Sequence, residues 1–185
     1  RQRQMCIRDR DDAIEAVKDF QSVPGRFELI DEGQSFAVVV DYAHTPDGLE
    51  KILGTAREIT EGKIIAVFGC GGDRDRMKRP IMGSIAAEHA DISIVTSDNP
   101  RTEDPEKIIE DVVVGVEKVK KNKPDLYYEV IADRRQAIKR AVSLAKDDDI
   151  VIIAGKGHED YQILKDRTIH FDDREEARNA LKEVK

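Results

Sequence analysis

Short apolar runs alternate with amphipathic stretches along most of this 185-residue chain. Four of the runs are rich in β-branched or aromatic side chains and predict strands; they are Ile64–Phe68, Ile92–Val95, residues 127–131 and Ile150–Ala154. A stretch with apolar residues at helical spacing follows each of the first three runs. Because repeated strand–helix units build mostly parallel sheets with helices on both faces, the pattern predicts an α/β fold.

Residues that favour helix N-termini mark where several helices begin. Thr45-Pro46 and Asp104-Pro105 each pair an N-cap residue with proline at the first helical position. Asp133 is a third N-cap residue, with Gln136 in the position of a capping-box partner. The predicted helices are residues 46–59, residues 79–89, the stretch from 105, the stretch from 133, and residues 173–183.

The remaining strands are predicted from shorter apolar segments. Residues 27–30 and 36–40 flank Glu32-Gly33 and indicate a β-hairpin, and residues 161–164 and 168–171 indicate two short strands. Residues 1–10 have no hydrophobic period and are interpreted as sequence foreign to the fold. Residues 11–22 resemble the end of a helix, and Val23-Pro24-Gly25-Arg26 is typical of a linker. The sequence therefore predicts one domain over residues 23–185.

Composition narrows the functional classes. Charged residues make up 37% of the chain, and the net charge of -7 argues against non-specific binding of nucleic acid, which requires clustered Lys and Arg. Cys6 and Cys70 form neither a spaced metal pair nor a disulfide framework. The sequence shows no apolar run of membrane-spanning length and no secretory signal pattern, so we expect a cytoplasmic protein without membrane insertion.

Polar residues follow the predicted strands at corresponding positions. Asp41, Gly69, Asp98 and Gly155 each lie just beyond the carboxyl end of a predicted strand. Because the carboxyl ends of parallel strands lie at one edge of a sheet, where α/β proteins bind ligands, we expect these loops to meet in a single crevice. The segment Ser97-Asp98-Asn99-Pro100-Arg101 places a carboxylate, an amide and a guanidinium there. Alternatively, Asn99-Pro100 makes only a turn and Arg101 is solvated.

Two glycine-rich loops resemble nucleotide-binding motifs but fail the spacing tests. In Gly69–Arg76 the dinucleotide fingerprint requires glycine where Arg74 stands, and no glycine precedes Gly155-Lys156 at Walker A spacing. We expect the glycines of the first loop to let a ligand approach the backbone, and Arg74 to bind a carboxylate or phosphate. Glu159 is a candidate for binding an ammonium group. The alternative for the first loop is a charged surface whose acidic and basic side chains, Asp73, Arg74, Asp75 and Arg76, pair among themselves. The alternative for the second is an ordinary solvated loop.

A third loop, Asp41–Asp47, adds a carboxylate and an imidazole beside a helix N-terminus. Asp41 is a candidate for binding ribose hydroxyls, and the helix end favours anions. His44 in such a position is more often structural than catalytic. Arg26 is the candidate for reaching a phosphate across a domain boundary.

Five segments in order carry a family resemblance: VPGRFE, DYAHTPD, FGCGGDRDRMKRP, SDNPRTEDP and AGKGHEDYQ. Together they resemble the carboxy-terminal domain of the Mur ligases, from Val23 to the end of the chain. The resemblance implies a Rossmann-like domain of an ATP- and Mg²⁺-dependent enzyme that adds an amino acid to a UDP-muramoyl peptide of peptidoglycan through an acyl phosphate. The match is closest to members that extend UDP-N-acetylmuramoyl-L-alanyl-D-glutamate.

The resemblance also implies roles for individual residues. The residues that would bind the incoming amino acid are Arg74, Asp98, Asn99, Pro100, Arg101, Gly155 and Glu159. The residues that would contact ATP are Arg26, Asp41 and His44. The family's central domain carries the P-loop and most Mg²⁺ ligands; residues 11–22 resemble its tail, so we expect this chain alone to be inactive.

The same resemblance bears on the choice of amino acid. Related ligases add meso-diaminopimelate or L-lysine, which differ by one carboxylate at the far end. Arg101 is suited to bidentate pairing with that carboxylate, and it would face lysine's ammonium as a like charge. We therefore predict meso-diaminopimelate. The competing hypothesis is a non-catalytic α/β domain that binds a diamino acid or a nucleotide; a dehydrogenase is disfavoured by Arg74.

Overall fold

The computed structural model describes residues 23–184, so the interpretations of residues 1–22 lie outside it. A six-stranded sheet forms its centre, with strand order β1-β2-β6-β3-β4-β5. These strands are β1 (Glu28–Leu29), β2 (Ala37–Asp41), β3 (Ile64–Phe68), β4 (Ile92–Val95), β5 (Tyr127–Val130) and β6 (Ile150–Ala154). Strands β2 to β6 are parallel, and β1 pairs antiparallel with β2, which confirms the predicted hairpin.

Five helices surround the sheet in the described part of the chain: α1 (Pro46–Ile59), α2 (Lys78–His89), α3 (Pro105–Lys120), α4 (Arg134–Leu144) and α5 (Asp173–Val184). The predicted N-caps are confirmed, because the side chains of Thr45, Asp104 and Asp133 each accept a hydrogen bond from a backbone N–H in the first turn. A separate hairpin of β7 (Tyr161–Ile163) and β8 (Thr168–His170) lies between β6 and α5 in the chain.

Two hydrophobic clusters cover the two faces of the sheet. Helices α1, α2 and α3 pack on one face, and α4 and α5 pack on the other. Alternate residues of each central strand serve the two clusters: Ala66 and Ile152 face the first, whereas Val67 and Ile153 face the second. All five residues of β3 and of β6 are buried, which explains their continuous apolar sequence. The α/β fold with helices on both faces is therefore confirmed.

No helix among the described residues is long and apolar enough to cross a membrane.

Candidate functional site

The loops that follow four neighbouring strands meet at one edge of the sheet. Gly155 N donates to the carbonyl of Asp41 at 3.0 Å, and Gly72 N donates to the carbonyl of Asn99 at 2.9 Å. An ideal Cβ on Gly69 would lie 2.3 Å from the carbonyl oxygen of Thr96. The predicted convergence of the loops after β2, β3, β4 and β6 is confirmed.

The segment Asp98–Arg101 is held against the β7–β8 hairpin. Asn99 Oδ1 accepts from the backbone N–H of Ile163 at 2.9 Å, and Arg101 N donates to the carbonyl of Ile163 at 3.1 Å. Gln162 Nε2 donates to the carbonyl of Asp98 at 2.6 Å. Asp98, Asn99 and the following proline, Pro100, are buried. This loop is therefore a fixed part of the crevice and not a free surface turn.

Arg101 is half-buried and occupies an unusual backbone conformation. Its φ of 53° lies in the left-handed region, which few non-glycine residues adopt. Its Nη1 donates to the carbonyls of Gly72 at 2.9 Å and Asn99 at 3.3 Å. These bonds use only one end of the guanidinium. The alternative that Arg101 is simply solvated is wrong, because the neighbouring loop holds it in place.

A fully buried lysine, Lys156, occupies the centre of the polar cluster. Its Nζ lies 3.1 Å from Asn99 Oδ1, 3.3 Å from Glu159 Oε2 and 3.6 Å from Asp98 Oδ1. Asn99 Nδ2 also donates to Glu159 Oε2, at 3.0 Å. Glu159, the candidate for binding an external ammonium group, and Asp98 thus already contact an ammonium group of the protein itself.

A second buried cation, Arg79, fixes the far end of the same loop. Its guanidinium binds both carboxylate oxygens of Glu103 at 2.8 and 3.0 Å, and Nη1 also donates to Asp111 at 2.9 Å. Hydrogen bonds from Arg79 hold the pKa of Glu103 at about 2, and they lower the pKa of Asp111 as well. Glu103 also accepts from the backbone N–H of Asp73. Arg79 therefore ties helix α2 to the loops after β3 and β4.

Arg74 lies apart from this cluster. Its side chain is exposed, and Nη1 donates to the carbonyl of Asp73 at 3.0 Å. The alternative that the charges of this loop pair among themselves is wrong, since Asp73 binds Thr102 and Arg76 binds Asp111. The role of Arg74 in binding an amino acid stays a prediction.

The glycines of the first loop have a different purpose from the expected one. An ideal Cβ on Gly72 would lie 1.9 Å from the carbonyl oxygen of Pro100, as close a conflict as the one at Gly69. These two glycines make room for the neighbouring loop and not for a ligand, which corrects the sequence-based expectation. Gly155 differs: its φ is +124°, and its nearest neighbours are Asp98 Oδ2 and Arg134 Nη2, at 3.8 and 3.9 Å from an ideal Cβ.

Beneath Gly155 lies a fully buried ion pair. Arg134 Nε and Nη2 bind the two carboxylate oxygens of Asp173 at 2.8 and 2.7 Å, and Nη2 also donates to the carbonyl of Ala154. Both side chains are completely shielded from solvent. This pair joins the N-termini of α4 and α5 to the end of β6, and it supports the backbone on which Gly155 and Lys156 stand.

The ATP-contact residues predicted from the sequence lie in an aromatic group at the other side of the crevice. The Arg26 guanidinium lies 4.5 Å from the centre of the Tyr42 ring, and the rings of His44 and His158 lie 4.6 and 5.1 Å from the same ring. Burial, reinforced by the Glu159 carboxylate, raises the pKa of Tyr42. His44 Nδ1 lies 2.9 Å from the carbonyl of Tyr42, which leaves Nε2 for another partner.

Asp41 already has a structural role in the same region. Its Oδ1 accepts from the backbone N–H of Ala43 at 2.7 Å, and its Oδ2 accepts from that of Phe27 at 2.8 Å. These bonds attach the segment that carries Arg26 to the end of β2. Each carboxylate oxygen retains a lone pair for a further donor, so the predicted contact with ribose remains a prediction.

Two buried cations of the site, Lys156 and Arg79, were absent from the residues chosen by sequence. Arg79 stands three and four residues before Met82 and Gly83, which are buried on the same face of α2. Helical spacing could therefore have placed it towards the core. Lys156 stands two residues after a strand with five buried residues, and only that position indicates its burial.

Residues 23–184 contain no group of three or more His, Cys, Asp or Glu side chains arranged to hold a metal ion.

Comparisons with known proteins agree with this architecture. The family described as "Mur ligase, glutamate ligase domain" matches residues 25–157. The chain is 56% identical over 172 residues to the UDP-N-acetylmuramoyl-L-alanyl-D-glutamate–2,6-diaminopimelate ligase of Clostridium botulinum, covering 92% of this chain and 34% of that protein. It is 58% identical over 172 residues to the ligase of the same name from Thermosynechococcus vestitus, covering 92% of this chain and 33% of that protein.

A solved structure of a UDP-N-acetylmuramoyl-L-alanyl-D-glutamate–2,6-diaminopimelate ligase has the same fold. It superposes with a TM-score of 0.79 at 44% identity, covering 91% of this chain and 34% of that structure. The chain thus spans about a third of the length of the curated relatives it matches.

Proposed function

The chain belongs to the Mur ligase family, and from that premise we propose that it supplies the amino-acid-binding domain of a diaminopimelate-adding ligase. The complete reaction would join meso-diaminopimelate to UDP-N-acetylmuramoyl-L-alanyl-D-glutamate in peptidoglycan synthesis. Such a ligase would work in the cytoplasm. ATP supplies the phosphoryl group that activates the terminal carboxylate of the UDP-muramoyl peptide as an acyl phosphate.

One observation carries this proposal: groups of both charges are gathered around Asn99. The Asn99 side chain binds Glu159 and Lys156. Asp98 precedes it and contacts Lys156, and Arg101 Nη1 donates to the Asn99 carbonyl. meso-Diaminopimelate carries two ammonium and two carboxylate groups, so a site for it must offer both acceptors and donors. A site lined by one sign of charge would suit it poorly.

Arg101 is the residue proposed to distinguish meso-diaminopimelate from L-lysine. Its Nη1 is fixed by two backbone carbonyls, so the orientation of the guanidinium is set before any ligand arrives. A guanidinium that is held in place loses little freedom on pairing with a carboxylate. Lysine has no carboxylate at that end and would bring a second cation towards Arg101.

The remaining work of this domain would be to hold the amino acid for attack. Anchoring one end through Arg101 and Glu159 would leave the amine at the other end to form the new amide bond. That amine must be neutral when it attacks the acyl phosphate, and the phosphate then leaves. Positioning of this kind makes a reaction between two bound molecules effectively intramolecular.

The aromatic group is proposed to face the nucleotide. Arg26 is exposed and offers its donors beside the Tyr42 ring, and His44 has one ring nitrogen available. These residues fit a ligand with phosphates, an aromatic base and a ribose. Neither glycine loop has Walker A spacing. We therefore infer that phosphoryl transfer requires other parts of such a ligase, and that this chain alone is inactive.

The direct test is calorimetric titration of the chain with meso-diaminopimelate and, separately, with L-lysine. We expect binding of meso-diaminopimelate, and about a 10- to 100-fold loss in Arg101→Ala, the cost of removing one partner of a charged hydrogen bond. Arg57→Ala is the matched control, because Arg57 binds Asp91 and Gly62 before strands β4 and β3, at the opposite edge of the sheet. Tighter binding of L-lysine, or no binding of either compound, would contradict the proposal.

A further inference from the structure

Lys156 is the buried charged group whose presence the proposed function does not explain. Its side chain is completely shielded from solvent, although lysine is rarely buried. Removing an ammonium group from water is costly unless partners compensate it. Here Asp98, Glu159 and the Asn99 amide oxygen surround Nζ within 3.6 Å, and the Tyr161 ring centre lies 5.6 Å away.

The contacts of Lys156 determine how its neighbours are oriented. Asn99 Oδ1 accepts from Lys156 Nζ and from Ile163 N, so its Nδ2 must point to Glu159. Glu159 Oε2 then accepts from both Asn99 and Lys156, while no hydrogen bond within the described residues involves Oε1. The carboxylate of Glu159 therefore has one oxygen fixed by the protein and one available to a ligand.

Lys156 also sets the charge of the cluster. Asp98 and Glu159 are negative, and Lys156 and Arg101 are positive, so the four side chains have no formal net charge. The neighbouring Arg134–Asp173 pair is neutral by itself. meso-Diaminopimelate has no net charge near neutral pH, whereas L-lysine carries one positive charge. A cluster without Lys156 would be negative and would favour the more cationic amino acid.

We propose that Lys156 is a positioning and specificity residue of the amino-acid site, because its buried ammonium fixes the Asn99–Glu159 pair and cancels one of two carboxylates. This inference rests on the proposed function. It assigns Lys156 a role separate from that of Arg101. Arg101 meets the far carboxylate directly, and Lys156 offsets one of the two negative charges, so that Asp98 and Glu159 do not favour an amino acid with a net positive charge.

The test compares the affinities of the chain and its Lys156→Met variant for meso-diaminopimelate and L-lysine. Methionine keeps an unbranched apolar side chain that is only one atom shorter, and it removes the charge. We expect Lys156→Met to bind meso-diaminopimelate at least about tenfold more weakly and L-lysine no more weakly, so that the preference falls by about tenfold or more. Lys156→Arg keeps the charge and should keep the preference even if both affinities fall.

The outcomes separate the two proposals. If Lys156→Met weakens both amino acids by the same factor, Lys156 is only structural and this inference is wrong, while the proposed function stands. If the unmodified chain binds neither amino acid, the proposed function is overturned and this inference with it. Should Lys156→Met fail to fold, as judged by its amide NMR spectrum, Lys156→Gln replaces it with a neutral side chain that has an N–H donor, and the same change in preference is expected.

Discussion

The crevice combines two regions whose side chains are held in different ways. The anchored region consists of Asp98–Arg101, Glu159 and the two buried cations Lys156 and Arg79. Each of its charged or amide side chains has at least one partner from another segment, as in the contacts of Asn99 with Lys156, Glu159 and Ile163. Its geometry is therefore complete without a ligand.

The aromatic region, Arg26 with Tyr42, His44 and His158, is built more loosely. Ring contacts at 4.6 and 5.1 Å and one guanidinium–ring contact hold it together, and no ion pair of Arg26 is seen among the described residues. Exposed contacts of this type contribute little stability. The segment carrying Arg26 is attached mainly through Asp41 and through the close approach of Gly25 to Gly157.

The difference fits the ligands proposed for each region. A small diamino acid makes few contacts with its site. If the side chains of the site are already ordered, binding does not incur the free-energy cost of ordering them. A nucleotide is larger and, in the proposed ligase, would be shared with residues outside this chain. The aromatic region would complete its contacts only together with those residues, so it does not need to be rigid in this chain by itself.

The largest expected effect is on the anchored region. In Arg79→Met, Glu103 and Asp111 lose their shared cation while the aliphatic part of the side chain is retained. We expect the free energy of unfolding to fall by about 3 kcal/mol, the lower end of the range for breaking a buried pair, because both carboxylates keep some solvent contact. Urea denaturation measures this change.

Arg76→Met is the matched control, since Arg76 binds the same Asp111 but its side chain is 64% exposed. An exposed ion pair is worth at most about 1 kcal/mol. Equal losses of unfolding free energy in the two variants would show that the buried ion pairs of Arg79 stabilise the chain no more than the exposed ion pair of Arg76.

A pH titration should sharpen the same contrast. The pKa of Glu103 is lowered from 4.5 to about 2 in the folded chain, and that of Asp111 is lowered from 3.8. Their contribution to stability is therefore complete above pH 4.5 and is lost as the pH falls towards 2. We expect the difference in unfolding free energy between the unmodified chain and Arg79→Met to shrink over that interval. A constant difference would contradict the assignment of the effect to these carboxylates.

Local sequence was sufficient for the elements and for the place where they meet. The apolar run Ile150–Ala154 is typical of a strand buried on both faces of a sheet, and Thr45, Asp104 and Asp133 cap helices through contacts within four residues. Parallel strands then bring their carboxyl ends to one edge, whatever the strand order. Asp98 and Gly155 could therefore be placed in one crevice from the pattern alone.

The partners within the crevice could not be predicted in the same way. Strand β6 lies between β2 and β3 in the sheet. These strands are far apart in sequence, so the local sequence pattern does not indicate that they pair. Lys156 follows a buried strand, but its burial depends on carboxylates at positions 98 and 159 that only the fold brings together. Gly72 likewise appeared to make room for a ligand because its neighbour, Pro100, lies in another loop.

The smallest expected effect on stability is in the aromatic region. Arg26→Ala removes an exposed guanidinium from the Tyr42 ring and should change the free energy of unfolding by less than about 1 kcal/mol. Urea denaturation beside Arg79→Met makes the comparison direct, and a loss as large as that of Arg79→Met would mean that both regions are equally anchored.

Titration with ADP and with meso-diaminopimelate then separates the functions of the two regions. If Arg26 serves only the nucleotide, its removal should weaken ADP binding and leave the affinity for meso-diaminopimelate unchanged, because no contact of Arg26 reaches the Asp98–Arg101 loop in the described structure.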